Sequence, residues 1–319
     1  MYVSAPKTER VHFDPDGLMA RAIGAYLGLA VGDALGATVE FMTPGEIQNQ
    51  YGEHRDIIGG GWLKLKPGRV TDDTEMSLAL GQSILDAGGV DATQVAQAFD
   101  HWLKTKPVDV GNTVRRGIVR FRTHGTAQGQ IDEFDAGNGA VMRVLPVALA
   151  SLGADRETVA KAAQAQAHVT HNAPLADAGM LAVVHMVQRA LYTPFKAYTD
   201  MIAMAHHLGL RSKKYVFTRK REENPSGFLP DTLRAVFQSF SRTDGFEAAL
   251  IDVVNRGGDA DTTGAILGFI AGAYYGRDAI PTRWLNALDA EVRERCEIQA
   301  LELLELSPLL SGKPLDVQV

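Results

Sequence analysis

Two adjacent aspartates, Asp72 and Asp73, directly precede a helical apolar pattern in the segment RVTDDTEMSLALGQ, residues 69–82. An acidic residue in the first turn stabilises a helix because it meets unpaired N–H groups and the positive end of the dipole. Asp72 followed by Glu75 also resembles a capping box. Capping accounts for one aspartate, but a second like charge beside it needs another reason. Carboxylates flanked by threonine hydroxyls are also hard oxygen donors of the kind that divalent cations bind.

A metal site needs a second group of ligands, and the segment NRGGDADTTGAILGFIAGAYYG, residues 255–276, offers one. In a regular helix Asp259 and Asp261 would point to different sides, whereas in a glycine-rich turn that enters a helix both can face one point. The apolar residues that follow predict a buried helix, where aspartates need partners or a metal. An EF-hand is excluded because its last ligand position holds Ile270 instead of glutamate.

A third acidic segment, RAIGAYLGLAVGDALGATVEF at residues 21–41, places Asp33 in a helix of glycine, alanine and aliphatic residues, and Glu40 follows. Glycines in an apolar helix allow neighbouring backbones to approach closely. Asp33 alone could be a buried hydrogen-bond acceptor or a contributor to a metal site. Three glycine-flanked acidic helix ends, far apart in the chain, together predict one shared site of oxygen ligands.

Helical periodicity dominates the chain, and short glycine, proline and asparagine turns separate the segments. The pattern predicts one all-α domain at residues 18–312 after a flexible extension at residues 1–17. The best strand signal, at residues 215–218, is short. The predicted helices are 18–35, 74–85, 92–103, 113–121, 140–152, 158–167, 175–191, 195–208, 232–240, 246–254, 262–275 and 281–306.

The net charge of −6 does not favour nucleic acid or an anionic membrane as a partner. Cys296 is the one cysteine in the sequence, so an intramolecular disulfide is impossible. The longest apolar stretches are shorter than the roughly 20 residues that span a bilayer. We therefore expect a cytoplasmic protein without a transmembrane segment, and a monomer because no heptad seam appears. The basic stretch at residues 211–227 is either a solvated loop or a contact for an anionic ligand or partner.

The motifs GLAVGDALGATVEF, RVTDDTEMSLAL, GNGAVMR, VTHNAPLAD and GGDADTTGAILG, in this order, resemble the ADP-ribosylglycohydrolase family. The likeness covers about residues 21–288. It implies a compact, single-domain orthogonal helical bundle with a binuclear Mn²⁺ or Mg²⁺ centre in a cleft. It also implies an enzyme, a hydrolase that cleaves the N-glycosidic bond between ADP-ribose and an arginine side chain.

The resemblance also implies roles for individual residues. The metal ligands would be Thr71, Asp72, Asp73, Asp259, Asp261 and Thr262. Acid–base roles would fall to Asp109, Glu40 and Glu133. Asn138, Gly139, His171 and Phe228 would line the substrate cleft, with Phe228 in the place where relatives have a tyrosine. Each has a structural alternative: Asp109 alone could cap a helix, His171 could be a satisfied core histidine, and Glu133 lies in an acidic run typical of solvated surface.

Within the family the likeness is closer to the branch that acts on ADP-ribosylated dinitrogenase reductase, the nitrogenase iron protein. That branch implies a PII signalling protein and, through it, an ammonium transporter as partners, with peripheral association at the membrane. Three alternatives stay open. They are a hydrolase for another ADP-ribosylated protein or small ADP-ribosyl compound, a non-catalytic ADP-ribose-binding relative, and a metal-dependent phosphoesterase.

Overall fold

A computed structural model describes residues 15–192, 194–313 and 316–318, and it confirms the predicted helical fold. Two three-residue strands, β1 (Gly89–Asp91) and β2 (Asp316–Gln318), pair in parallel. The helices are α1 Pro15–Gly36, α2 Pro44–Tyr51, α3 Asp72–Ala87, α4 Ala92–Lys104, α5 Asn112–His124, α6 Leu145–Ala150, α7 Arg156–Ala167, α8 Pro174–Tyr192, α9 Pro194–Arg211, α10 Leu229–Arg242, α11 Phe246–Val254, α12 Ala260–Tyr275, α13 Thr282–Ala287, α14 Ala290–Leu306 and α15 Pro308–Ser311.

Helices α1 and α12 run antiparallel with their glycine faces in contact at the centre of the molecule. Glycines four residues apart lie on one helix face, and both helices carry such a series. A Cβ on Gly32 would lie 2.0 Å from the carbonyl oxygen of Gly264, and a Cβ on Gly268 would lie 2.0 Å from that of Gly28. The backbones therefore touch, and this contact brings the end of α1 beside the beginning of α12.

The length and composition of α1 would allow it to cross a membrane, since its mean hydropathy over 18 residues is 1.4. However, 78% of that window is buried inside the protein. Its apolar residues pack against the other helices, as in the central helix of a compact core. The apolar character of α1 is thus accounted for by its position in the fold.

Two predicted helices are shorter or divided in the structure. The predicted helix at residues 140–152 is confined to α6, because residues 138–144 form tight turns. The predicted helix at residues 281–306 is broken after Ala287, and Asp289 caps the start of α14 by accepting hydrogen bonds from the backbone N–H groups of Glu291 and Val292. Side-chain capping therefore separates α13 from α14.

Helix α2 was absent from the prediction, although its signal is present in the sequence TPGE. Thr43 and Glu46 form a reciprocal capping box, with Pro44 at the first helical position. The short strand signal at residues 215–218 does not correspond to a strand in the structure. Residues 213–215 form a 3-10 turn instead, and the alternation reflects the burial of Tyr215 and of Phe217, whose ring contacts Phe237 of α10.

Two further predictions concern the N-terminal extension and the basic stretch at residues 211–227. Of the predicted extension at residues 1–17, residues 1–14 lie outside the described part, and residues 15–17 form the first turn of α1. The domain boundary stays a prediction. The basic stretch is partly paired, since Arg221 forms ion pairs with Asp252 and Glu223. Exposed lysines elsewhere in it agree with a solvated loop.

Candidate active site

The N-terminus of α3 is capped by Asp33 of α1. The Asp33 carboxylate accepts hydrogen bonds from the backbone N–H of Thr71 at 3.0 Å and of Thr74 at 3.1 Å, and from both threonine hydroxyls. The predicted capping box of Asp72 and Glu75 was wrong, because α3 begins without a side-chain cap from its own segment. A cap supplied by another helix leaves the oxygens of the TDDT aspartates available.

Glu75 accepts hydrogen bonds from two side chains and not from the backbone N–H at the helix start, as a capping box would require. Its carboxylate accepts hydrogen bonds from the Arg69 guanidinium and from the indole N–H of Trp102, the latter at 2.8 Å. These contacts lie on the side of α3 that faces α4. Glu75 therefore fixes the orientation of α3 and does not reach back to the helix start.

The two halves of the predicted metal site meet at Asp73. The hydroxyl of Thr71 lies 3.2 Å from Asp73 Oδ2, and the hydroxyl of Thr262 lies 3.3 Å from the same oxygen. Thr71 Oγ1 also lies 3.4 Å from Asp261 Oδ2. Asp73 Oδ1 is buried and has no hydrogen-bond partner among the described residues. Such an unpaired carboxylate oxygen is costly unless a cation binds it.

Two further carboxylates, those of Glu40 and Asp109, converge on Asp261. One oxygen from each of Glu40, Asp109 and Asp261 lies within 4.8 Å of the other two. Burial raises the pKa of Glu40 to about 8, and the nearby Asp259 and Asp109 add to the shift. Burial likewise raises the pKa of Asp109. The cluster thus concentrates acidic groups whose mutual repulsion, together with burial, disfavours their ionised forms.

The α3 and α12 aspartates share this electrostatic environment. Burial raises the pKa of Asp72 to about 8, with Asp109 as the next contributor. Burial raises the pKa of Asp73 and Asp261 well above the usual range, and that of Asp259 in the same direction. Carboxylate and hydroxyl oxygens with one buried oxygen unpaired form the donor set that Mg²⁺ or Mn²⁺ prefers. The residues present therefore fit a hard divalent cation.

The acids open into a cleft of about 510 Å³. Asn138 is fixed at its wall, since its amide donates to Asp259 Oδ2 at 2.6 Å and to the Thr232 hydroxyl at 3.0 Å. Gly139 must lack a side chain, because a Cβ there would lie 2.7 Å from Cε1 of His171. Of the predicted site residues, those that line the cleft are Glu40, Asp72, Asp109, Asn138, Gly139, His171, Asp259, Asp261 and Thr262.

Of the four predicted site residues that do not line the cleft, Thr71 and Asp73 are buried in the aspartate cluster and two lie away from the cleft. Glu133 lies in an exposed turn, and Phe228 is half-buried with Lys214 Nζ 5.4 Å from its ring centroid. The backbone of Phe228 pairs with Gly137, so it supports the cleft without lining it. Asp109 does not cap α5, whose N-cap residue is Gly111 and whose start has no side-chain cap. The roles of these residues stay predictions.

An aromatic pair at the cleft mouth was not identified from the sequence. The indole N–H of Trp62 donates to Glu40 Oε2 at 2.7 Å, and the Trp62 ring lies 5.4 Å from that of Phe41, centroid to centroid. Phe41 adopts a φ of 62°, a left-handed conformation that is rare for an aromatic residue. The sequence signal for this pair is a tryptophan directly after three glycines. In the structure the Trp62 side chain is 52% exposed, and large exposed aromatic side chains often contact ligands.

A sequence model of the ADP-ribosylglycohydrolase family matches residues 14–311. The chain is 50% identical over 292 residues to the ADP-ribosyl-[dinitrogen reductase] glycohydrolase of Rhodospirillum rubrum, covering 91% of this chain and 97% of that protein. It is 32% identical to the ADP-ribosylarginine hydrolase Tri1 of Serratia proteamaculans (strain 568), covering 90% and 80%. A solved structure described as an ADP-ribosylglycohydrolase-related protein complex matches with a TM-score of 0.79 and 36% identity, covering 91% and 99%.

Proposed function

This chain belongs to the ADP-ribosylglycohydrolase family, and we propose that it is a metal-dependent hydrolase that removes ADP-ribose from an arginine side chain. Its proposed substrate is ADP-ribosylated dinitrogenase reductase, the protein named for the R. rubrum relative. The function of the chain would then be to regulate nitrogen fixation by reactivating that protein. The observation that carries the proposal is the convergence of Glu40, Asp109 and Asp261 at the base of an open cleft.

The proposed centre holds two divalent ions, Mn²⁺ or Mg²⁺. When bound, the ions would supply positive charge that orients the ribose hydroxyls and makes water a better nucleophile. The proposed ligands are Thr71, Asp72, Asp73, Asp259, Asp261 and Thr262. The unpaired Oδ1 of Asp73 and the all-oxygen donor set support this assignment.

We assign the proton transfers to Glu40 and Asp109, which line the cleft together with the aspartates of α3 and α12. Cleavage of the glycosidic bond requires a proton for the departing guanidine and removal of one from the attacking water. A carboxyl whose pKa is raised toward neutrality can do either, and burial raises the pKa of both groups. Trp62 holds Glu40 in place through its indole N–H.

The walls of the cleft would bind the ADP-ribose part of the substrate. Asn138 is held rigidly by Asp259 and Thr232, so its backbone turn presents a fixed surface. The adjacent glycines let a ligand approach the backbone closely. Phe228 supports this turn through its pairing with Gly137.

A second candidate is a hydrolase for a different ADP-ribosylated protein, which the similarity to Tri1 favours. A separate proposal concerns the proteins that regulate the enzyme. We propose, from the likeness to the dinitrogenase reductase branch alone, that a PII signalling protein and an ammonium transporter hold the cytoplasmic enzyme at the membrane surface. Binding of the purified chain to each partner would test that arrangement separately.

The direct test of activity uses arginine-ADP-ribosylated dinitrogenase reductase, labelled in the ADP-ribose, with Mn²⁺ present. Release of intact ADP-ribose supports the proposal. Faster release from free ADP-ribosylarginine or another ADP-ribosylated protein would favour the second candidate. Release of phosphate would instead indicate a phosphoesterase, and binding of ADP-ribose without release would indicate a non-catalytic relative.

Asp278→Asn provides a matched control for loss of an acidic group, because the Asp278 side chain is 98% exposed and does not line the cleft. Asp259→Ala should abolish release, whereas Asp278→Asn should retain it. Equal activity in the two variants would contradict the assignment of the cleft as the active site.

A further inference from the structure

Arg143 is completely buried behind the cleft wall, an unusual position for a guanidinium group. Its Nε donates to the side-chain oxygen of Gln166 at 2.9 Å, and its Nη2 donates to the hydroxyl of Thr170 at 2.7 Å. The guanidinium also stacks on the Phe99 ring at 4.4 Å. Burial lowers the pKa of Arg143 to about 9, so the group stays protonated at neutral pH and acts only as a donor.

Thr170 connects Arg143 to the cleft. Its hydroxyl oxygen accepts from Arg143, and it lies 2.8 Å from Nδ1 of His171. The side chain of Thr170 is buried, so its one hydroxyl hydrogen needs an acceptor. Among the described residues, His171 Nδ1 is the acceptor in reach. An Nδ1 that accepts a hydrogen bond carries no hydrogen, and a neutral ring then carries its proton on Nε2.

The ring of His171 is neutral, since burial lowers its pKa to about 3, with Arg143 and Arg116 adding to the shift. Its Nε2 faces the two glycines of the cleft turn. A Cβ on Gly137 would lie 3.0 Å from Nε2, and one on Gly139 would lie 3.1 Å from it. Because both side chains are missing, Nε2 opens to the cleft, and it has no hydrogen-bond partner among the described residues.

We propose that Arg143 and Thr170 are positioning residues that fix His171 as a neutral Nε2–H donor toward an oxygen acceptor of the ligand in the cleft. The proposal rests on the proposed function for the identity of the ligand, ADP-ribose. The order of donors is Arg143 to Thr170, Thr170 to His171, and His171 to a phosphate or hydroxyl oxygen. Without the hydroxyl, nothing described would select the Nε2–H tautomer.

The tautomer can be measured in the full-length free protein by NMR of ¹⁵N-labelled imidazole groups, with His171→Asn to assign the resonance. We expect an unprotonated Nδ1 and a protonated Nε2 in the wild type at pH 7. A protonated Nδ1 in the wild type would overturn the proposal whatever the enzyme hydrolyses. This measurement does not depend on activity, so it separates failure of the relay from failure of the proposed function.

Thr170→Val removes the hydroxyl at nearly constant volume, and Thr170→Ser keeps it. We expect the valine variant to lose the single tautomer and to bind ADP-ribose about tenfold more weakly by calorimetry, as for one lost hydrogen bond. The serine variant should restore both. A valine variant with the wild-type tautomer and affinity would contradict the proposal. If circular dichroism shows that the valine variant does not fold, the proposal is tested by the tautomer of the wild type and by the tautomer and affinity of the serine variant.

Titration with ADP in parallel identifies the acceptor. A weakened affinity of the valine variant for ADP as well as for ADP-ribose places the acceptor on the diphosphate or adenosine part. A loss confined to ADP-ribose places it on the distal ribose. If wild-type protein binds neither ligand, the proposed function fails while the tautomer measurement still stands on its own.

Discussion

The hydroxyl of Thr262 lies 3.3 Å from Oδ2 of Asp73, which joins the first turns of α12 and α3 across 189 residues of sequence. The contact follows from two features of the fold. The glycine faces of α1 and α12 bring the start of α12 to the end of α1. Asp33, also near the end of α1, caps α3 and brings its aspartates to the same point.

Asp73→Asn should change the stability of the protein in opposite directions with and without metal. Burial raises the pKa of Asp73 in the folded state, so the carboxyl lowers stability as the pH rises above its unfolded pKa of about 3.9. Asparagine lacks this penalty, so without metal the free energy of unfolding of Asp73→Asn should exceed that of the wild type by about 1 kcal/mol or more. Thermal unfolding after chelation measures this difference.

With Mn²⁺ at one hundred times its dissociation constant, the wild type should gain about 2.7 kcal/mol and Asp73→Asn should gain much less. The exposed variant Asp278→Asn should respond to the metal as the wild type does. An equal gain in wild type and Asp73→Asn would remove Asp73 from the set of ligands.

Much of this arrangement could be predicted from the sequence because its parts are local signals. The apolar period with TDDT predicted the position of α3, and the glycine-rich turn at Asp259 predicted the start of α12. The sequence pattern also showed that glycines on α1 permit close backbone approach. Which helix would approach was not readable, since every partner glycine lies more than two hundred residues away.

Other features depend on contacts that leave no local pattern. The N-terminus of α3 is capped by Asp33 and not by the expected capping box. This cap could not be predicted, because a cap from a distant helix has no fixed spacing in the sequence. The position of Trp62 beside Glu40 depends on how a glycine-rich loop packs against residues 37–38, directly after α1. The helix at Thr43, by contrast, had a local signal in TPGE that the apolar period did not contain, because α2 buries only Ile47.

Gly32→Ala should destabilise the protein strongly, because its Cβ would lie 2.0 Å from the Gly264 carbonyl oxygen and the helices would have to separate. We expect a loss of about 3 kcal/mol or failure to fold, as for overpacking of a rigid core. Gly45→Ala is the matched control. No atom lies within 4 Å of its Cβ position in α2, and alanine there should stabilise by about 0.5–1 kcal/mol. Urea unfolding compares the two, and equal stabilities would contradict the packing argument.

Trp62→Phe should lower kcat more than it changes KM. The substitution keeps an aromatic ring beside Phe41 but removes the N–H that holds Glu40. Because the raised pKa of Glu40 leaves its carboxyl largely protonated at neutral pH, this hydrogen bond is worth about 0.5–1.5 kcal/mol, and kcat should fall by about tenfold or less. Phe41→Leu keeps that hydrogen bond and should have the smaller effect on kcat. Steady-state kinetics on the ADP-ribosylated substrate measures both, and the reverse order of effects would show that ring stacking dominates.

His171 should contribute stability that is lost as the pH drops below about 6.5, opposite in sign to the contribution of the buried aspartates. Its pKa is about 3 in the folded state and about 6.5 when unfolded, so the unfolded chain binds the proton first. The stabilisation is complete above pH 6.5 and is lost as the pH falls toward 3, by up to about 1.4 kcal/mol per pH unit. His171→Gln should make the change in unfolding free energy per pH unit between pH 5 and 6 less positive than in the wild type, as measured by urea unfolding. An unchanged slope would show that His171 is not the group responsible.

Asp109 and Glu133 can be distinguished by a pair of variants that remove one charge each. Asp109 shares the acidic cluster with Glu40 and lines the cleft, whereas Glu133 lies in an exposed turn. If proton transfer requires a group in the cleft, Asp109→Asn should lower kcat by about 10² or more. Glu133→Gln should then lower it by less than about twofold. Single-turnover release of labelled ADP-ribose measures the chemical step in both. A large loss in Glu133→Gln would mean that the turn closes over the substrate and that Glu133 enters the cleft only then.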